Sequence, residues 1–68
     1  MPKYYVNDNA QPTGEHEVHK EGCKYLKEII SKTDLGNHYT CKEAITAAKK
    51  KYSNVDGCYY CCNDCHKK

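Results

Sequence analysis

Two pairs of metal-ligating side chains stand far apart in this chain, His19-x3-Cys23 near its start and Cys58-x2-Cys61 near its end. Zinc takes four N and S ligands in a tetrahedron, and structural sites commonly draw them as two close pairs from distant segments. Ligands three or four residues apart converge on one ion when the backbone between them turns. Thirty-four residues lie between Cys23 and Cys58, room for a strand and a helix that a shared ion would close into one unit. The expected site is a Zn2+ ion held by His19, Cys23, Cys58 and Cys61.

The other donors admit several readings. Cys62-x2-Cys65 overlaps the later pair, and spacing alone does not reject it. Adjacent Cys61 and Cys62 point in different directions, so both are not expected on one ion. Cys41 reads as a small hydrophobe on a helix face, with a fifth-ligand role or a thiol facing Cys65 as alternatives. His66 reads as solvated, although Cys41, Cys62, Cys65 and His66 would suffice by count for a second metal. His16 and His38 have no partner at ligand spacing and read as surface or strand residues. The pairs Cys58-Tyr59-Tyr60-Cys61 and Cys62-Asn63-Asp64-Cys65 also have the spacing of thiol–disulfide exchange. The βαβ setting of a thioredoxin-like motif is not read here, since a parallel sheet is not expected at this length.

Composition explains why a staple is needed. Sixty-eight residues make one small domain, residues 1–68, near the lower limit for a self-supporting core. Phe and Trp are absent and large aliphatics are few; seven tyrosines carry much of the remaining apolar bulk. Each of them brings a hydroxyl that must reach water or a partner. Disulfides, a metal or a partner chain usually stabilise such a sequence. The opening Met1 to Asp8 has no apolar run resembling a secretory signal, and no stretch reaches membrane-spanning length. A cytoplasmic setting is expected, where clustered cysteines bind metal or do redox work more often than they form disulfides.

The elements that must position these side chains are short. Lys3 to Val6 reads as a strand, and the turn-rich run from Asn7 to Gly14 as a long loop. Glu15 to His19 can pair back on the first strand. Cys23 to Ile30 has helical spacing, with Cys23, Leu26 and Ile30 on one face, then a polar break over Ser31 to Asp34 and a return strand from Leu35 to Tyr39. Thr40 and Glu43 fit a capping box. Cys41, Ala44, Ile45, Ala48 and Tyr52 line one face of the helix that follows, and Lys49 to Lys51 complement its dipole. Ser53 to Gly57 reads as a turn. The expected fold is small α+β: a β-hairpin or three-stranded antiparallel sheet with two or three short helices, stapled by zinc.

The pattern formed by His19, Cys23, Leu26, Glu43, Ala44, Ala47 or Ala48, Gly57, Cys58 and Cys61 resembles the Ada-type metal-binding modules. These occur in the Ada DNA-repair protein and appended to bacterial nucleases. The resemblance spans about Val18 to Cys61 and implies a zinc site in a small α+β fold. It does not carry over the repair activity: Ada uses four cysteines, one of which accepts a methyl group from DNA, and His19 stands at the first ligand position here. The segments Glu17 to Cys23 and Gly57 to Cys61 also resemble a group of short, uncharacterised bacterial proteins, which implies no function.

These readings lead to a structural zinc-binding module, a protein- or nucleic-acid-interaction unit without catalysis, expected to be a monomer away from membranes. Four protein ligands leave no open position for an activated water. Net charge is only +2, little field for a polyanion, so nucleic-acid binding would rest on Lys49 to Lys51, Lys67, Lys68 and stacking tyrosines. A thiol–disulfide redox protein is the alternative.

Overall fold

Strand β1 (Lys3–Asn7) is one of the two inner strands of the sheet, and along it Tyr4 and Val6 alternate inward while their neighbours face outward. The computed structural model describes residues 1–67. The loop after β1 returns as β2 (His16–Lys20), antiparallel, with Tyr5 opposite His19 and Val6 opposite Val18. On the other side β3 (Lys32–Asn37) pairs antiparallel with β1, with an irregularity in register between Tyr4 and Tyr5. After the helix α1 (Cys41–Ala48) a fourth strand, β4 (Val55–Gly57), runs parallel to β2, giving the order β3-β1-β2-β4.

The sheet is therefore four-stranded and mixed, where the sequence pattern led to a hairpin or three antiparallel strands. The difference lies in β4. Its residues Val55, Asp56 and Gly57 look like part of a turn, yet His16 donates its N–H to Asn54 O and Cys58 donates to Val18 O, both at 2.9 Å. Backbone pairing with β2, unmarked by any side-chain periodicity, makes the strand.

Two other segments also depart from expectation. Cys23 to Ile30 does not form a two-turn helix but a single 3-10 turn over Leu26–Glu28. Gly22, at φ +87°, makes a tight turn that an L side chain would strain, and the following N–H groups bond three residues back rather than four. Ile30, expected on the buried face, is 94% exposed. Ser31 to Asp34 is not a break, because β3 already begins at Lys32. Asp8 draws this segment in, accepting from Ser31 Oγ at 2.8 Å and Thr33 Oγ1 at 2.6 Å.

The capped helix forms where the sequence predicts it. Thr40 is extended at the N-cap, and its Oγ1 accepts from the Glu43 N–H at 3.2 Å. Glu43 reaches back to the N–H of Tyr39 at 3.0 Å, one residue beyond Thr40. Ala44 and Ala48 are fully buried, so α1 lies close on the sheet over Tyr4, Val6 and Val18, with Cys62 completing the core. Leu35, Ile45, Tyr52 and Val55 pack around it. Lys49 is the C-cap and Lys50 and Lys51 follow in the turn beyond. A second 3-10 turn, Asn63–Cys65, ends the chain's regular structure. Among the described residues no helix is long and apolar enough to cross a membrane.

Candidate metal centre

β2 ends one residue after His19, and β4 ends one residue before Cys58. Because Val18 sits opposite Gly57, both strands deliver their donors to the same end of the sheet. Cys23 arrives through the Gly22 turn, where its N–H donates to Lys20 O at 3.1 Å. Cys61 arrives through the turn that follows Cys58, in which Cys62 N–H donates to Cys58 O at 2.8 Å.

The four donor atoms of His19, Cys23, Cys58 and Cys61 all lie within 4.8 Å of one another. His19 Nδ1 is 3.7 Å from Cys23 Sγ and 3.9 Å from Cys61 Sγ, and the sulfurs of Cys23 and Cys58 are 4.0 Å apart. A tetrahedron with Zn–S bonds of about 2.3 Å and a Zn–N bond of about 2.0 Å has edges of about 3.5 to 3.8 Å. Three of the six separations, 3.7 to 4.0 Å, come within a few tenths of an ångström of those edges and none exceeds 4.8 Å, so the four donors lie close enough to share one metal ion. His19 and Cys58 are buried, while Cys23 and Cys61 are half-buried.

Around the donors the backbone is arranged for negative sulfur. The N–H of Lys20 points at Cys61 Sγ at 3.2 Å. The N–H of Tyr25 bonds Cys23, and those of Tyr60 and Cys61 bond Cys58, each favouring the thiolate. On its far side, His19 Nε2 lies 3.5 Å from Glu17 Oε1. With Nδ1 facing the sulfurs, its lone pair is free for a metal when the proton sits on Nε2, toward this carboxylate.

Protonation in the metal-free cluster opposes charge. Burial pushes the Cys58 thiol up to about 12 and raises Cys23. A hydrogen bond with Cys62, then burial, raises Cys61. Burial lowers His19 and raises Glu17. At neutral pH the unmetallated cluster therefore holds three thiols and a neutral imidazole. A divalent cation held by Cys23, Cys58, Cys61 and His19 would reverse this preference, since metal coordination favours the thiolates and would release the thiol protons. The N and S donor set suits zinc and other borderline or soft ions, and not the oxygen-seeking Mg2+ or Ca2+.

The remaining candidates lie elsewhere. Cys62 is 2% exposed in the core; Cys41 and Cys65 face each other with sulfurs 2.7 Å apart. Cys62 and Cys65 thus do not join His19 and Cys23. Among the described residues, the His19 group alone gathers three or more His, Cys, Asp or Glu donors close enough to share an ion. His66, read as solvated, is tied down: its Nδ1 is 2.9 Å from Gly57 O and 3.2 Å from the buried Asp56 carboxylate. His16 stacks on Tyr52 with centroids 3.7 Å apart, and His38 Nε2 meets Leu35 O at 2.7 Å. Sequence reasoning missed Glu17, although a carboxylate two residues from a strand histidine shares its face. It also missed the role of Gly57, where a Cβ would lie 2.6 Å from Cys62 O and 2.8 Å from Cys65 Cβ. Gly57 allows the C-terminal turn to close over β4.

No protein-family model, curated protein or solved structure matches this chain.

Proposed function

We propose that this chain is a structural zinc-binding module that serves protein or nucleic-acid interaction and performs no catalysis of its own. The observation that carries this reading is the convergence of the His19, Cys23, Cys58 and Cys61 donor atoms to within 4.8 Å of one another, with backbone N–H groups aimed at the sulfurs. Four protein donors fill a tetrahedral zinc, leaving no position for a water nucleophile. Metal binding releases about 10 to 16 kcal/mol in zinc-finger peptides, comparable with the whole stability of a small domain. For a core built on two valines, two alanines, a tyrosine and a cysteine, that contribution decides whether the chain folds. The resemblance to Ada-type modules agrees with this role.

An interaction surface adjoins the site. Tyr25, Tyr59 and Tyr60 border a cleft of about 480 Å³ that also touches His19, Cys58 and Glu17. Tyr60 is 64% exposed, and Lys24 Nζ lies 5.5 Å from its ring centroid. Exposed tyrosines beside a cation suit a protein loop or a stacked base. The basic cluster offers less than its sequence suggests, because Lys51 Nζ is engaged by Thr33 Oγ1 at 2.6 Å and Asp8 at 3.4 Å. Lys68, counted in the same patch, lies outside the described residues. For such a module the setting proposed is that of a cytoplasmic monomer.

Thiol exchange through Cys58 and Cys61 is the weaker reading, since both thiols are shifted away from the thiolate that exchange requires. The test is metal content on protein purified under reducing conditions, followed by far-UV circular dichroism in excess chelator. One zinc per chain is expected, with the spectrum collapsing on chelation and returning when zinc is restored. A metal-free chain that keeps its fold would overturn the proposal. Reductase activity of metal-free protein would favour thiol exchange instead.

A further inference from the structure

Cys41 and Cys65 belong to no part of the metal centre, yet their sulfurs lie 2.7 Å apart. Both are free and partly exposed, so a small oxidant can reach them. A disulfide bond is about 2.05 Å long, and a movement of well under 1 Å shared between the sulfurs would form it. The backbones that present them are held independently. Cys41 is the first residue of α1, directly after the Thr40 cap. Cys65 closes the last 3-10 turn, with its N–H on Cys62 O at 2.9 Å and its Cβ packed over Gly57. A second metal is not what this pair awaits: His66, the nearby donor in sequence, turns to Gly57 and Asp56, and no third donor completes a cluster among the described residues.

We propose that Cys41 and Cys65 are a site of reversible oxidation, forming a disulfide that fastens the start of α1 to the turn behind the Cys58–Cys61 ligand pair. A small-molecule disulfide such as oxidised glutathione supplies the oxidising equivalents. The Cys65 thiol loses its proton and attacks the glutathione S–S bond, giving a mixed disulfide and one glutathione thiolate; Cys41, which burial and then Cys65 push up to about 11, enters second. The second protein thiol then loses its proton and displaces the other glutathione. The protein gives up two electrons and two protons, and two reduced glutathione molecules carry them away. The new bond closes a loop across residues 41–65, which restrains the unfolded chain.

The experiment uses the chain as purified, with its metal content measured in parallel, exposed to oxidised glutathione at pH 8. Intact mass is expected to fall by two hydrogens with no glutathione retained, and non-reducing peptide mapping to join Cys41 to Cys65. Tm should rise by on the order of 10 °C, and dithiothreitol should reverse both changes. Cys62→Ser should still form the bond, whereas Cys65→Ser should retain one glutathione or stay unmodified. A bond mapped to Cys58, Cys61 or Cys62 would overturn the proposal. So would Cys41 and Cys65 both remaining open to alkylation after oxidation, or both shielded by a second bound metal. Because pairing is read from peptides and metal by count, failure of the zinc reading would not be confused with failure of this one.

Discussion

At one end of the sheet His19, Cys23, Cys58 and Cys61 face a common point, while at the other Asp8 gathers Ser31, Thr33, Tyr52 and Lys51 around one carboxylate. Both clusters tie remote segments together, and α1 runs between them, from Cys41 on the thiol side to the turn at Tyr52 beside Asp8. They differ in where the charge originates. Asp8 carries its own, and the hydroxyls of Thr33 and Ser31 hold its carboxyl well below the ordinary carboxylate range. The metal-free thiol cluster suppresses its charge, because burial raises Cys58 and Cys23. One end carries a fixed charge, and the other would carry charge only with a cation among its sulfurs.

Removing a metal ligand should separate the two ends most sharply. Cys58→Ser is expected to abolish tight zinc binding and leave the chain largely unfolded by circular dichroism, with the Asp8 cluster unable to hold it. A folded, metal-free Cys58→Ser protein would show that the dependence has been misplaced. Next in size, Glu17→Gln should weaken zinc binding by about 10- to 100-fold with the fold intact, read by competition with a chromophoric chelator; an unchanged affinity would remove Glu17 from the site. Gly57→Ala should lower stability by about 1 to 3 kcal/mol through overpacking against Cys62 O and Cys65 Cβ, measured by denaturant titration of the zinc-loaded chain. Asp8→Asn should lower it by about 1 to 2 kcal/mol while leaving zinc stoichiometry unchanged.

Acid offers a second way to divide the ends. Asp8 is depressed in the folded chain, so its contribution is fully present above the unfolded value of about 3.9 and disappears only as pH falls through the much lower folded value. The metal end should fail sooner. Three thiolates compete with protons, so apparent zinc binding weakens by about 4 kcal/mol per pH unit. A binding energy of about 10 to 16 kcal/mol at pH 7 is then largely gone between about pH 5 and 3. Zinc release and loss of structure should coincide on acidification. Release that leaves the circular dichroism intact would place the Asp8 end in control.

The reach of sequence reasoning follows the range of the forces involved. The cap of α1 was legible because Thr40 and Glu43 act within one turn, and the core face of Ala44 and Ala48 because helical spacing is local. The four donors were legible as two pairs, each joined by a turn. What stayed hidden depends on distant partners. Ser31 and Thr33 look like breakers until Asp8 binds them, and Asp56 and Gly57 look like a turn until β2 pairs with them. The choice of Cys61 over Cys62 was closed to spacing as well. Which sulfur faces inward to Val18 and which faces His19 depends on how the final turn folds over Gly57.

The direction of β4 has a consequence larger than its three residues. Had this segment crossed the sheet's edge in the opposite sense, Cys58 would have emerged about 10 Å away, beside the carboxylate hub and out of reach of the imidazole. A reversal of that kind would leave every donor in the chain and abolish the common point they share. In this molecule the capacity to grasp an ion is written in the polarity of one short ribbon.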